Sequence, residues 1–148
     1  TADAQAIKGY LYDTYFASPP PKSLDRFDFG IEPVLHLSEA DAMATLLEFT
    51  AQGIAKARDF LPNPPKQWLV AGGGAHNPVL MARLKELLGD VKTAHEIGWQ
   101  TDALEAQAFG FLAVRSLYGL PLTLPQLTGV RRPASGGAFY RGAASARS

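Results

Sequence analysis

In the stretch WLVAGGGAHNPVLMARLKELL, Trp68–Leu88, an apolar run meets three consecutive glycines, and a helix-compatible segment follows behind Asn77-Pro78. The prolines at 62, 64 and 65 bound the run on one side, and Gly89 bounds the helix on the other. A short apolar run, a glycine turn and a proline-headed helix form a strand–turn–helix unit, and that unit commits the chain to an α/β arrangement. Proline suits the first helical turn, where its missing N–H has no partner to lose. Two readings of Gly72-Gly73-Gly74 stand on spacing alone. One is a tight turn that binds nothing. The other is a phosphate cradle, because glycines let backbone N–H groups approach a polyanion and the next helix presents its positive end. In the second reading Asn77 caps the helix or hydrogen-bonds a ribose or base. No Gly-Lys-Ser/Thr follows, so this is not a P-loop, and Asn77 stands where a dinucleotide fingerprint has its third glycine.

The rest of the chain supplies more helix than strand. Ala4 to Phe16 has apolar residues spaced by four at Ile7, Leu11 and Tyr15, which predicts a helix. Residues 17–33 hold three prolines in a row and read as a stiff connector, with a proline-rich ligand of the SH3 type as the alternative. Ser38 predicts an N-cap for a helix reaching to about Phe60, with Asp41 three residues on. Gln67–Ala71 and "VKTA" are the two expected strands, and "GGAFY" suggests a short edge strand. Thr101–Tyr118 is the longest apolar helix, closed by Gly119. Residues 143–148 read as a frayed tail. The aromatics Tyr10, Tyr12, Tyr15, Phe16, Phe109 and Phe111 fall at helical spacing and are expected in the core. Long apolar helices with so few strands point to a larger α/β body whose further strands lie in sequence absent here.

Composition removes several function classes. At 148 residues the length fits one domain, and 47% hydrophobic with 19% charged residues is ordinary for a globular protein. Lys+Arg and Asp+Glu balance at 14 each, and the sparse tail arginines lack interleaved aromatics, so neither nucleic acid nor a membrane surface is an expected partner. Without cysteine there is no disulfide or thiolate chemistry, which suits a reducing cytoplasm. No apolar stretch is long enough for a membrane span, and the absence of an initial methionine is read as processing or a cut from a longer chain.

A second polar constellation is Asp102 with Glu105. Spacing of three puts both carboxylates on one helix face at its first turn, where they complement the dipole or accept hydrogen bonds from sugar hydroxyls. Glu105 heads a helix with little other polar surface, which gives it reason to hold a partner. His36, His76 and His95 lack metal-type spacing, so no metal site is expected. His76 in the glycine loop and Lys22-Ser23 after the prolines read as exposed residues, with an anion contact as the alternative.

Taken in order, "PPPKS", "GGGAHNPVLMARL", "GWQTDALEAQAFGFLAVRSLYGLPLTLPQLTGV" and "PASGG" resemble the C-terminal half of anhydro-N-acetylmuramic acid kinases, from about Tyr10 to Tyr140. The resemblance implies a ribonuclease-H-like second domain of the actin-type ATPase fold, helix-rich and with an incomplete sheet. It implies ATP and Mg²⁺ as cofactors. The implied reaction opens the 1,6-anhydro ring with water and phosphorylates O6, in cell-wall recycling. Gly72, Gly73, Gly74 and Asn77 match the family's nucleotide-contacting loop, and Glu105 with Asp102 matches its helix-head acids, facing the sugar. The catalytic aspartate and the first phosphate loop belong to the N-terminal half, so no catalytic residue is expected in this chain, which alone should be inactive. Its expected partners are ATP, the anhydro amino sugar and its own N-terminal domain; a homodimer stays open. Two departures stand out: "PPPKSLDRFDF" lacks the usual Thr-Gly after Lys-Ser, and Thr101 replaces a glycine. The competing functional class is a non-catalytic nucleotide-binding or regulatory module of the same fold.

Overall fold

The computed structural model describes residues 1–25, 27–100 and 103–140. Two compact units divide the chain, Thr1–Leu104 and Glu105–Ser148. The first contains helices α1 (Ala4–Leu11), α2 (Thr14–Ala17), α3 (Glu39–Ala55) and α4 (Pro78–Leu88), with strands β1 (Trp68–Val70) and β2 (Val91–Thr93). The second is built on α5 (Leu104–Leu117) and α6 (Pro125–Thr128).

Each helix of the first unit starts where a side chain can take an orphan N–H. Asp3 accepts from Ala6 N–H at 2.7 Å, Ser38 from Asp41 N–H at 3.2 Å, and Asn77 from Val79 and Leu80 N–H. The expected helix from Ala4 to Phe16 is broken in two, because Asp13 accepts from Tyr15 N–H at 2.8 Å and starts α2 afresh. After α3 the chain tightens into a 3-10 turn, Lys56–Phe60, before the prolines. Gly89, at φ +86°, ends α4.

The strands pair in parallel, Trp68 with Val91 and Val70 with Thr93, joined by α4 as the crossover. One face of this pair is covered. Trp68 and Val70 pack with Leu47, Leu87 and Leu88 around buried Ala51, Leu80, Met81, Leu84 and Val91. Complete burial of Leu84 contributes about 2 kcal/mol. The small Ala51 and Ala55 are buried on α3. Thr45, the buried polar residue of the same helix, donates to Asp41 C=O and accepts from Asp3 N–H at 2.8 Å, which ties the start of α1 to α3. A second cluster gathers Tyr10, Val34, Phe29, Leu46 and Phe49. Tyr10 stacks on Phe49 with ring centroids 4.6 Å apart, and burial pushes its phenol above the ordinary value.

Besides Phe29 in the second cluster, two side-chain hydrogen bonds tie the connector to the helices. Lys22 Nζ donates to Tyr15 C=O at 2.6 Å and lies 4.1 Å from the centre of the Phe60 ring. Tyr10 Oη donates to Gly30 C=O at 2.8 Å. Lys22 is therefore half-buried and engaged, contrary to its expectation as a solvated loop residue.

In the second unit Ser116 Oγ donates to Gly136 C=O at 2.5 Å, Arg115 Nε donates to Pro121 C=O at 2.7 Å, and Thr123 bridges Ala134 in antiparallel fashion. That bridge replaces the edge strand expected at "GGAFY", whose residues carry no strand. Not every expected core aromatic is buried. Tyr10 is, and Tyr15 and Phe16 are half-buried, but Tyr12 is 88% exposed, Phe109 64% and Phe111 62%. No described residue of α5 is buried. The tail at 143–148 lies outside the described residues. Among the described residues no helix is long and apolar enough to cross a membrane.

Candidate functional site

The glycine loop is held by hydrogen bonds on both sides. Upstream, Trp68 N–H donates to Asp90 C=O and Ala94 N–H donates to Val70 C=O, both at 2.8 Å, fixing β1 against β2. Gly72 then adopts φ +80° and ψ −175°, a region open essentially to glycine alone. Gly73–His76 form a 3-10 turn, closed by Ala75 N–H to Gly72 C=O at 3.0 Å and Asn77 N–H to Gly74 C=O at 3.1 Å. Downstream, Asn77 Oδ1 accepts from Val79 N–H at 3.0 Å and from Leu80 N–H at 3.1 Å. Of the two roles open to Asn77, capping takes its oxygen, and its amide NH₂ makes no bond among the described residues.

These bonds leave the N–H groups of Gly72, Gly73 and Gly74 without an acceptor among the described residues, and all three glycines are exposed. Packing does not explain why all three are glycine. A Cβ at Gly73 would meet nothing within 4 Å, and one at Gly74 would touch Leu80 Cδ2 at an ordinary 3.6 Å. Consecutive N–H groups without an acceptor, ahead of a helix N-terminus, are chemically suited to an anion.

Beside the loop runs a groove of about 360 Å³, lined by Met43, Leu46, Leu47, Thr50, Asn77 and Leu80. It lies between α3 and the start of α4, whose spacing is set by a forked ion pair. Arg83 Nε donates to Glu48 Oε2 at 2.7 Å and Nη2 to Oε1 at 2.8 Å, and Gln52 donates to the same carboxylate at 2.6 Å. The Glu48 side chain is only 16% exposed. The guanidinium bonds hold its carboxyl below the ordinary value, outweighing burial, and Glu48 with Glu86 raises Arg83 in turn. Sequence reasoning missed both the groove and the clamp. The available signal was the run Met43, Leu46, Leu47 and Thr50 at i, i+3, i+4 and i+7, of which Leu46 and Leu47 pack on the core while Met43 is 65% exposed.

The other sequence-predicted residues are placed as follows. His76 is exposed within the 3-10 turn and Ser23 is exposed in the connector. Glu105 lies in the first turn of α5, exposed and with no partner among the described residues, although a partner was expected. Asp102 lies outside the described residues. The glycine loop belongs to the first unit and Glu105 to the second. Among the described residues no three His, Asp or Glu side chains cluster where they could hold a metal ion.

A family model described as anhydro-N-acetylmuramic acid kinase matches residues 2–142. The anhydro-N-acetylmuramic acid kinase of Rhodospirillum rubrum is 52% identical over 139 residues, covering 93% of this chain and 37% of the relative. That of Rhodopseudomonas palustris is 51% identical over 133 residues, covering 88% and 36%, and that of Phenylobacterium zucineum 43% over 136 residues, covering 91% and 37%. The chain thus spans little more than a third of the length of the curated relatives it matches. With a family model running over nearly its whole length and relatives at about half identity, the chain belongs to the anhydro-N-acetylmuramic acid kinase family.

Proposed function

We propose that this chain is the C-terminal, nucleotide-contacting part of an ATP-dependent sugar kinase of the actin-type ATPase fold. The whole protein hydrolytically opens 1,6-anhydro-N-acetylmuramic acid and phosphorylates O6, in cytoplasmic cell-wall recycling. The observation that carries the nucleotide assignment is the row of acceptor-free N–H groups at Gly72, Gly73 and Gly74 beside an apolar groove. In this reading the N–H groups and the α4 N-terminus take the phosphates, and the base enters the groove against Met43 and Leu47 with the Asn77 NH₂ at its edge. Phosphoryl transfer depends mainly on positioning and on spreading the charge of the transferred group. The loop contributes fixed dipoles that need no reorganisation as charge moves. Glu105 accepts hydrogen bonds from the sugar. As the family resemblance implies, the metal and the group that activates water are assigned to the rest of the protein, and this chain alone is expected to be inactive.

Titrating isotopically labelled chain with ATP tests the assignment. Amide shifts at 72–74 together with methyl shifts at Met43 and Leu47 are expected. Gly73→Val, whose side chain enters open space in the free protein, should leave the fold intact and weaken binding at least tenfold. ATP shifts confined to other residues, or unchanged affinity in Gly73→Val, would remove the loop from the reading.

A further inference from the structure

Beyond the stretch of α3 that lines the groove, its last turn and the 3-10 turn after it border a separate cavity of about 330 Å³. That volume falls at the lower end of the range for small-molecule sites, about 300–1,000 Å³. The rings of Tyr15, Phe16 and Phe60 line it, together with the side chains of Lys22 and Lys56. Gly53 shapes it from α3. A Cβ there would stand 3.2 Å from Phe16 Cε1, so glycine, disfavoured inside a helix, lets the ring lie against the helix backbone.

The charge in this cavity is of one sign. Lys22 Nζ donates to Tyr15 C=O at 2.6 Å and stands 4.6 Å and 4.1 Å from the centres of the Tyr15 and Phe60 rings. An ammonium has three donors, and ring faces engage the remaining two only weakly. The half-buried Lys56 side chain makes no hydrogen bond or ion pair among the described residues. No aspartate or glutamate lines the cavity among the described residues, and Asp59, the acid nearest in sequence to Lys56, is paired with Arg58 at 3.9 Å. Two cations on one cavity repel each other, and an oxyanion between them relieves that repulsion while taking their spare donors.

We infer that this cavity is a binding site for a small oxyanion carried on a ring-sized apolar body, distinct from the glycine loop. Lys22, fixed by the Tyr15 carbonyl and two rings, presents donors at a set position, and Lys56 supplies the second charge. The aromatic rings and Leu61 cover the apolar body, the usual division of labour in a small-molecule site. A carboxylate and a phosphate ester both carry this chemistry. The inference is independent of nucleotide binding, since it shares no residue with the glycine loop or the groove.

Titrating the isotopically labelled 148-residue chain with phenyl phosphate and, separately, with benzoate tests it by NMR. Side-chain signals of Lys22 and Lys56 and ring signals of Phe60 should shift together with either probe, and the tighter of the two names the oxyanion. Benzyl alcohol, a ring without charge, and inorganic phosphate, a charge without a ring, should each bind at least tenfold more weakly. Lys22 also fastens the connector, so the variants are placed at Lys56 and at Ala57, an exposed residue of the lining. Lys56→Gln should weaken binding at least fivefold, and Ala57→Phe, which fills the cavity, at least tenfold, both with the melting transition of the parent chain. The inference is overturned if neither probe shifts Lys22 and Phe60, if inorganic phosphate binds as tightly as phenyl phosphate, or if either folded variant binds unchanged. Phenyl phosphate shifts confined to residues 72–74 would overturn it too, while leaving the glycine-loop reading in place.

Discussion

Gly72 holds a backbone conformation, φ +80° with ψ −175°, that a Cβ strains, whereas Gly73 has negative φ and open space around it. Gly72→Ala is accordingly expected to lower stability by about 1–3 kcal/mol, and Gly73→Ala to change it by less than about 1 kcal/mol. Urea unfolding of the two variants checks this, and equal losses would contradict the geometry. The sequence made the excess of glycine visible but not its division of labour, because three identical letters carry no dihedral angles. Asn77 was easier to read, since capping depends only on its neighbours and Pro78 marks the register. Tyr12 was misread because spacing alone cannot show that the helix stops one residue earlier, at Leu11, where Asp13 starts the next.

Helices α3 and α4 are held by packing and by the Glu48–Arg83 fork, and each contributes differently with pH. The folded carboxyl of Glu48 titrates below its ordinary value of about 4.3. Its contribution is therefore fully present above that ordinary value and is lost as pH falls through the lower folded value. Glu48→Gln should cost about 1–2 kcal/mol at neutral pH and flatten the acid limb of stability. Urea midpoints from pH 7 down to 3 measure both, and parallel acid limbs for the two proteins would count against the pair. The long helices were legible because caps and apolar periodicity are local signals. The groove was not, because it depends on how far α4 covers the stripe of α3. The strand expected at "GGAFY" failed for a related reason: its residues have no facing strand, and the pairing goes to Thr123 and Ala134.

The shortage of strands was countable in the sequence, and the two-stranded sheet among the described residues agrees with it. Which groups complete the proposed site was not legible, because under that proposal they belong to the rest of the kinase. In the kinase made whole, Glu105→Gln should raise the sugar KM at least tenfold while nucleotide affinity stays within twofold. A change in nucleotide affinity alone would reassign Glu105. The exposed Phe109, Phe111, Val114 and Leu117 explain why core prediction did worst on α5, since a helix reads as buried from its letters whichever partner is present.

The connector between α2 and α3 is, on paper, a long proline-rich loop, yet Lys22 and Gly30 are both fastened to the helical body. Phe29, just before Gly30, packs on Phe16 and Phe49 as well, so the helices hold the connector at both ends and share its ordering entropy. Length variation, such as an insertion, is then expected to be better tolerated between the Lys22 and Phe29 anchors than at either of them. The same insertion before Lys22 would shift the ammonium off its carbonyl and rings, so sequence drift in this segment is constrained at its pins and not at its prolines.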